Sequence, residues 1–134
     1  MKYAVIDVGS NTVRLCVYDV LCPEKRKFKT IMNRKIMAGL AAYIVDGAFS
    51  DEGIAEAILA VKKCIKRASY LSPDRIDVFA TAVLRNISNS AQAIAAIEQG
   101  AGCSISLLSN ADEAHLGFVG ASSRGTLDDG ALID

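Results

Sequence analysis

The sequence lacks several features that would point to common classes of function. Its 134 residues carry 15 basic and 15 acidic side chains, so no net charge attracts nucleic acid or an anionic membrane. The single histidine, without a nucleophile motif, disfavours a serine-type triad. Neither a Walker A motif nor a G-x-G-x-x-G fingerprint occurs. No apolar run approaches the roughly 18 to 20 residues of a membrane span. The expected partners therefore include neither nucleic acid polymers nor membranes.

The four cysteines form no recognisable metal or redox motif. No C-x-x-C pair and no zinc spacing occurs among them. Cys16, Cys64 and Cys103 sit in apolar runs, where a free cysteine behaves as a small hydrophobic residue. Asp7 ends the first apolar run too early for a signal peptide. We therefore expect a protein of the reducing cytoplasm.

What the sequence does contain is typical of one well-cored domain, with 51% hydrophobic and 22% charged residues. The short apolar run at 4–6 predicts a strand covered on both faces, and the alternation at 12–18 predicts a second strand. The charged stretch 27–37 predicts a protected edge strand. Residues 39–47 are typical of a loop. Beyond them the pattern predicts a helix over 50–71, a strand over 76–80, a helix over 89–100, a strand over 103–109 and a helix over 110–122.

This order of elements predicts an α/β fold with a mixed sheet. Three N-terminal strands suit an antiparallel meander, and the later strands suit parallel βα crossovers. The last residues, 130–134, repeat the texture of the first strand, with Asp134 in the place of Asp7. A compact domain rarely ends at the tip of a central strand. We therefore expect residues 1–134 to form a single N-terminal lobe, truncated at the start of its last strand.

The first candidate site is the stretch D-V-G-S-N. It follows a strand at the carboxyl edge of the predicted sheet, where ligands collect. Gly9 permits a sharp turn, and the N–H groups of Ser10 and Asn11 can contribute to an anion-binding concavity. Asp7 could hold a hydrated Mg²⁺ there. The alternative is that the stretch is only a hairpin turn.

Two further candidates follow later strands of the sheet. Arg85 lies about one helical turn after a strand and suits phosphate, or it lies on a solvated helix face. Glu113 could orient or deprotonate a water, or it could close a capping box with Asn110. His115 is more typical of a helix surface than of a catalyst. Because parallel strands end at one edge, we expect Asp7, Arg85 and Glu113 to lie together.

Four ordered motifs resemble the exopolyphosphatase/guanosine pentaphosphate phosphohydrolase family. "IDVGSNTVRL" is similar to the family's I-D-x-G-S-N-[ST]-x-R-L, and "GLAAYIVDGAFSDEGI" resembles its G-L loop and the helix start that follows. "ATAVLRNISN" matches A-T-x-A-x-R-x-x-x-N, with Arg85 and Asn89 in register. "DEAHLGFVGA" resembles E-E-A-R-L-x-F-x-G, and the final "LID" would begin L-I-D-I-G-G-G-S.

The resemblance implies a ribonuclease H-like lobe of the actin, sugar-kinase and chaperone ATPase superfamily. It implies Glu113 as the catalytic glutamate and Arg85 as a phosphate-binding residue. It also implies Gly9, Ser10 and Asn11 as the phosphate loop, and Asp134, with Asp7 nearby, as the residues that bind Mg²⁺.

The implied reaction is hydrolysis of terminal phosphate from polyphosphate or guanosine pentaphosphate. The sequence departs from the family pattern at Asp112, where a glutamate is usual, and at His115, where an arginine is usual. Because His115 replaces the arginine, an alternative is that the protein is a weakly catalytic sensor that binds polyphosphate or guanosine pentaphosphate. An ATP-dependent kinase lobe of the same superfamily is the other alternative, and a homodimer is a further expectation.

Overall fold

The computed structural model describes residues 1–123. In chain order its strands are β1 (Lys2–Val8), β2 (Thr12–Cys22), β3 (Lys27–Met37), β4 (Ile44–Val45), β5 (Ala48–Phe49), β6 (Arg75–Ala80) and β7 (Ile105–Leu107). The helices are α1 (Asp51–Ser69), α2 (Ala82–Arg85), α3 (Ser90–Ala101) and α4 (Asn110–Ser122), and a 3₁₀ turn spans Leu40–Tyr43. The strand predicted at 130–134, with Asp134, lies outside the described residues. No helix within the described range is long and apolar enough to cross a membrane.

Five strands form one mixed sheet in the order β3-β2-β1-β6-β7. The pairs β1–β2 and β2–β3 are antiparallel, whereas β6 runs parallel to β1 and β7 parallel to β6. The predicted meander and parallel crossovers are confirmed. Because β1, β6 and β7 point the same way, the segments that follow them start at one edge of the sheet.

Strand β1 is fully buried on one face only. Ala4, Ile6 and Val8 are inaccessible to solvent and belong to the core, whereas Asp7 is exposed on the opposite face. The expectation that this strand is covered on both faces is therefore wrong. Side chains alternate between the two faces of a strand, so the single acidic residue marks the open face.

Helix α1 packs on the sheet through small residues. The apolar periodicity of α1 includes Val61 and Ala68, which are both buried, and the other most buried positions are small residues such as Ala57, Ala60 and Cys64. Isoleucines such as Ile58 are only partly buried and pack beside this surface. Small side chains let the helix backbone approach the sheet closely, so the branched residues fill the space at its flanks.

The segment predicted as a loop over 39–47 is more regular than expected. After the 3₁₀ turn, β4 and β5 form a hairpin whose central residues, Asp46 and Gly47, have φ angles of 49° and 78°. Positive φ at both positions is typical of a type I′ turn, for which Asp-Gly is a strong sequence signal. The dipeptide therefore carried a hairpin signal that the loop prediction passed over.

Candidate active site

The stretch D-V-G-S-N forms the tight hairpin connection between β1 and β2. The N–H of Gly9 donates to the carbonyl of Thr12 over 3.0 Å. A Cβ at Gly9 would lie 3.0 Å from that same oxygen, which is tighter than ordinary van der Waals contact. Glycine is therefore favoured here by close approach and not by a positive φ. The hairpin interpretation describes the backbone correctly and is compatible with a ligand-binding loop.

The carbonyl groups of this loop are held by a neighbouring segment. Ser10 accepts a hydrogen bond from the N–H of Ala41 and Asn11 accepts one from the N–H of Gly39, both at 2.9 Å. Within residues 1–123 the N–H groups of Ser10 and Asn11 have no acceptor. The loop is thus anchored through its oxygens while two donors remain available for an anion.

Arg85, the last residue of α2, does not lie on a solvated helix face. Its side chain is only 18% exposed, and Nη1 donates to the carbonyl of Leu108 at 2.7 Å and to Oε2 of Glu113 at 3.1 Å. The buried Nε has no hydrogen-bond partner in the part of the chain that the structure describes. The arginine fork is therefore held in place with some of its donors unsatisfied.

Helix α4 is capped by residues other than those predicted. Ser109 is the N-cap: its Oγ accepts from the N–H of Asp112 at 3.1 Å, and the Asp112 carboxylate accepts from Ser109 in return. The predicted box between Asn110 and Glu113 is wrong by one residue. It fails because the extended N-cap conformation falls at Ser109, which makes Asp112 the N3 residue. Glu113 is thereby free to pair with Arg85.

Asp7 reaches the same region from β1. Together with Glu113, Phe79 and Leu116 it lines a groove of about 520 Å³ between the open face of the sheet and α4. Partial desolvation raises the pKa of the Asp7 carboxyl, the negative charge of Glu113 raises it further, and Arg14 opposes both effects. Arg14 lies opposite Asp7 in the β1–β2 pair. Its proximity to Asp7 could have been predicted from the register of a hairpin that turns at residues 9–11, but it was missed.

The structure brings Asp7, Arg85 and Glu113 to one edge of the sheet, as their positions after parallel strands predict. His115 is exposed on α4. No group of three potential metal ligands occurs within residues 1–123. Asp7 supplies a hard carboxylate of the kind Mg²⁺ prefers, and its predicted partner Asp134 lies outside the described residues. The hydrogen bond from Arg85 to the carbonyl of Leu108 had no sequence signal, because every residue has a backbone carbonyl.

The fold and the sequence are both similar to known phosphatases. The chain superposes on a Ppx/GppA phosphatase from Aquifex aeolicus with a TM-score of 0.81 and 21% identity, covering 92% of this chain and 41% of that one. It superposes on an exopolyphosphatase from Cytophaga hutchinsonii with a TM-score of 0.82 and 25% identity, covering 92% of this chain and 39% of that one. The chain thus spans about two fifths of the length of these structures.

The model of the Ppx/GppA phosphatase family matches residues 21–134. This match includes Arg85 and Glu113, whose pairing is described above, and begins after the loop that contains Gly9. The chain belongs to the Ppx/GppA phosphatase family.

Proposed function

We propose that this chain forms the first lobe of a phosphoanhydride hydrolase that releases terminal phosphate from inorganic polyphosphate or guanosine pentaphosphate. Membership of a phosphatase family supports the reaction class, and the exopolyphosphatase of similar fold supports the polyphosphate alternative. The observation that carries the proposal is the ion pair between Glu113 and Arg85 at the carboxyl edge of the sheet. The proposed location is the cytoplasm, where the four free cysteines would stay reduced.

In the proposed mechanism Glu113 orients the attacking water and accepts its proton. The water oxygen forms a bond to the terminal phosphorus, and the bridging P–O bond breaks with its electron pair going to the departing phosphate chain. Glu113 suits this role because its side chain is 33% exposed and is held by Arg85 through one carboxylate oxygen. Since positioning and electrostatics carry most of phosphoryl transfer, a fixed carboxylate is worth more than a mobile one.

The charge on the phosphoryl group would be stabilised by donors around the groove. Arg85 spends Nη1 on Leu108 and Glu113, while Nη2 has no partner among residues 1–123 and is available to a phosphate oxygen. The unpaired N–H groups of Ser10 and Asn11 would contribute further donors. Asp7, with Asp134, would hold Mg²⁺, which when bound would neutralise part of the substrate charge.

We propose that a second lobe completes the cleft, because the structures of similar fold are more than twice as long as this chain. The groove at Asp7 and Glu113 is open on the described lobe, so a facing lobe would be needed to enclose the substrate. Activity is therefore assigned to the two-lobed protein and not to residues 1–134 alone.

The test compares two neighbouring acids that the structure gives different partners. In the two-lobed protein, Glu113→Gln keeps the size of the side chain but removes the base, so kcat for the hydrolysed substrate should fall by about 10² to 10⁴. Asp112→Asn is the matched control. It weakens the cap of α4 without altering the Arg85 pair, so it should lower Tm and change kcat by less than about threefold. Steady-state kinetics at saturating Mg²⁺, with polyphosphate and guanosine pentaphosphate assayed separately, provide the measurement.

Retained kcat in Glu113→Gln would remove this residue from the mechanism. A wild-type protein that binds polyphosphate or guanosine pentaphosphate but hydrolyses neither would instead support the sensor alternative suggested by His115. Equal losses in Glu113→Gln and Asp112→Asn would show that the first turn of α4 acts structurally.

A further inference from the structure

The side chain of Asn89 makes a pair of hydrogen bonds with the backbone of one distant residue. Its Oδ1 accepts from the N–H of Phe49 at 2.8 Å, and its Nδ2 donates to the carbonyl of Phe49 at 2.9 Å. The two residues are 40 positions apart. Phe49 belongs to β5. The carboxamide of Asn89 therefore bonds to the N–H and the carbonyl of a strand residue, as the backbone of a neighbouring strand would.

This pairing requires a carboxamide. It needs one donor and one acceptor in a single plane, which asparagine supplies and aspartate does not. The orientation of the amide is settled by its partners, because a flipped group would place Nδ2 against an N–H and Oδ1 against a carbonyl. Asn89 also occupies the N-cap position of α3, but its side chain makes no capping hydrogen bond there. Its side chain therefore forgoes a common stabilising role.

From Phe49 the contacts lead to the loop at Gly9. The hairpin β4–β5 follows the 3₁₀ turn directly, and the N–H of Ser50 donates to the carbonyl of Tyr43 at 3.0 Å. The start of the same segment supplies the bonds from Gly39 and Ala41 to Asn11 and Ser10. Residues 39–49 therefore lie between Asn89 and the proposed phosphate loop, and they contact both.

On its other side Asn89 is close in sequence to Arg85. The short connection between α2 and α3 joins them, and its Ser88 donates from its N–H to the carbonyl of Gly47 at 2.8 Å. This bond reaches the turn of the β4–β5 hairpin, so the connection holds the hairpin at two points. The hairpin is thereby placed between the two elements that present Arg85 and the Ser10–Asn11 donors.

We propose that Asn89 is a positioning residue that fixes the phosphate loop relative to Arg85 through the β4–β5 hairpin. The role of the loop and Arg85 in binding phosphate rests on the proposed function. The hydrogen-bonded link from Asn89 through residues 39–49 to the loop, here called the mechanical link, is a property of the fold. Loss of the Asn89 pair should loosen residues 39–49 and, through them, the loop that follows β1. The expected consequence is weaker binding of phosphate without loss of the folded core.

The mechanical part is tested by amide hydrogen exchange on the 134-residue chain, which needs no ligand. Asn89→Ala should speed exchange at Phe49, Gly39 and Ala41 by about tenfold, and leave the core strands unchanged. Asn86→Ala is the matched control, because this exposed asparagine lies in the same connection and its side chain has no hydrogen-bond partner within the described range. Faster exchange at Phe49 alone, with Gly39 and Ala41 unchanged, would overturn the link.

The functional part is tested by titrating the same variants, made in the two-lobed protein, with inorganic phosphate. Asn89→Ala should raise the Kd for phosphate about three- to tenfold while Asn86→Ala leaves it unchanged. Asn89→Ser also removes the planar donor–acceptor pair but keeps a polar residue favoured at the start of a helix, so it serves if the alanine variant does not fold, and a similar increase is expected. Ile97→Val, in the buried core, is the control for stability alone: it should lower Tm without changing Kd.

An unchanged Kd in every folded Asn89 variant would overturn the positioning role. Failure of the wild-type two-lobed protein to bind phosphate would count against the proposed function, while the exchange result would still decide the mechanical link.

Discussion

Asp7 and Asp112 show opposite effects of folding on a carboxyl group. Partial desolvation and the charge of Glu113 raise the pKa of Asp7 above its ordinary value of 3.8. Hydrogen bonds from Ser109 and the charge of His115 lower the pKa of Asp112. Folding therefore opposes the charge on Asp7, in the groove, and favours it on Asp112, at the cap. Functional groups often destabilise the fold in this way, because the site needs a charge at a position where folding disfavours it.

Asp7→Asn should raise the stability of the chain at neutral pH. Since the folded pKa is raised, the contribution of Asp7 to stability is present below the ordinary value of 3.8 and is lost as the pH rises through the folded value. The asparagine does not ionise and avoids this loss. Thermal unfolding of both proteins between pH 3 and pH 8 should show a higher Tm for the variant at pH 7 and converging values at low pH.

Asp112→Asn provides the mirror-image control. Its lowered pKa stabilises the fold above its ordinary value of 3.8, and this contribution is lost as the pH falls through the folded value. The variant should therefore have a lower Tm than the wild type at pH 7. A lower Tm for Asp7→Asn at pH 7 would contradict the assignment of its desolvation.

Close packing at the start of α1 explains why a glycine occupies the first turn of this helix. A Cβ at Gly53 would lie 2.6 Å from Cβ of Tyr43 and 2.7 Å from the ring of Phe49. The contact with Tyr43 lies next to its backbone and cannot be relieved by a rotamer change. Gly53 therefore lets residues 39–49 pack closely against the start of α1. Asn89 contacts the same segment through its hydrogen bonds to Phe49.

Gly53→Ala should destabilise the chain by up to about 2 kcal/mol. Alanine is intrinsically the better helix former by about 1 kcal/mol, but overpacking costs roughly 1 to 3 kcal/mol and should exceed that gain. In α4, a Cβ at Gly120 meets no described atom within 4 Å, so Gly120→Ala should stabilise by about 0.5 to 1 kcal/mol. Chemical denaturation measures both. A stabilising Gly53→Ala would show that Tyr43 and Phe49 move aside freely.

At the scale of the whole molecule, one feature of residues 1–123 is a group of neighbouring apolar side chains exposed on α4. Leu116 is 48% exposed, Phe118 51% and Val119 41%, and no residue of α4 is buried in the part of the helix that the structure describes. By contrast, α1 and α3 both contribute buried residues to the core. Neighbouring exposed apolar residues of this kind favour contact with another protein surface, either a further lobe or a second copy.

The chain alone should therefore associate with itself as its concentration rises. Sedimentation velocity of the wild type is expected to show concentration-dependent association, and Phe118→Ser should reduce it. Leu59→Ser is the matched control, because Leu59 is 53% exposed on α1, away from this surface, and should leave association unchanged. A monomer at every concentration would rule out α4 as a self-association surface.

Local sequence pattern was sufficient for most of the elements. Alternation predicted β2, the charged run predicted the edge strand β3, and Ser50 caps α1 as its position before two acids suggests. These features depend on residues within one or two turns of each other, so their physics is readable along the chain. The order of motifs likewise indicated the family to which the chain belongs.

The contacts that make the site depended on the tertiary structure. Glu113 lies one residue from Asp112, which closes the capping box, and only the placement of α4 beside α2 shows that Glu113 pairs with Arg85, 28 residues away. Asn89 and Phe49 are 40 residues apart, and no local pattern relates them. Hydrogen-bond partners at such separations are set by the order of strands in the sheet and by the packing of the segments between them, which sequence periodicity does not encode.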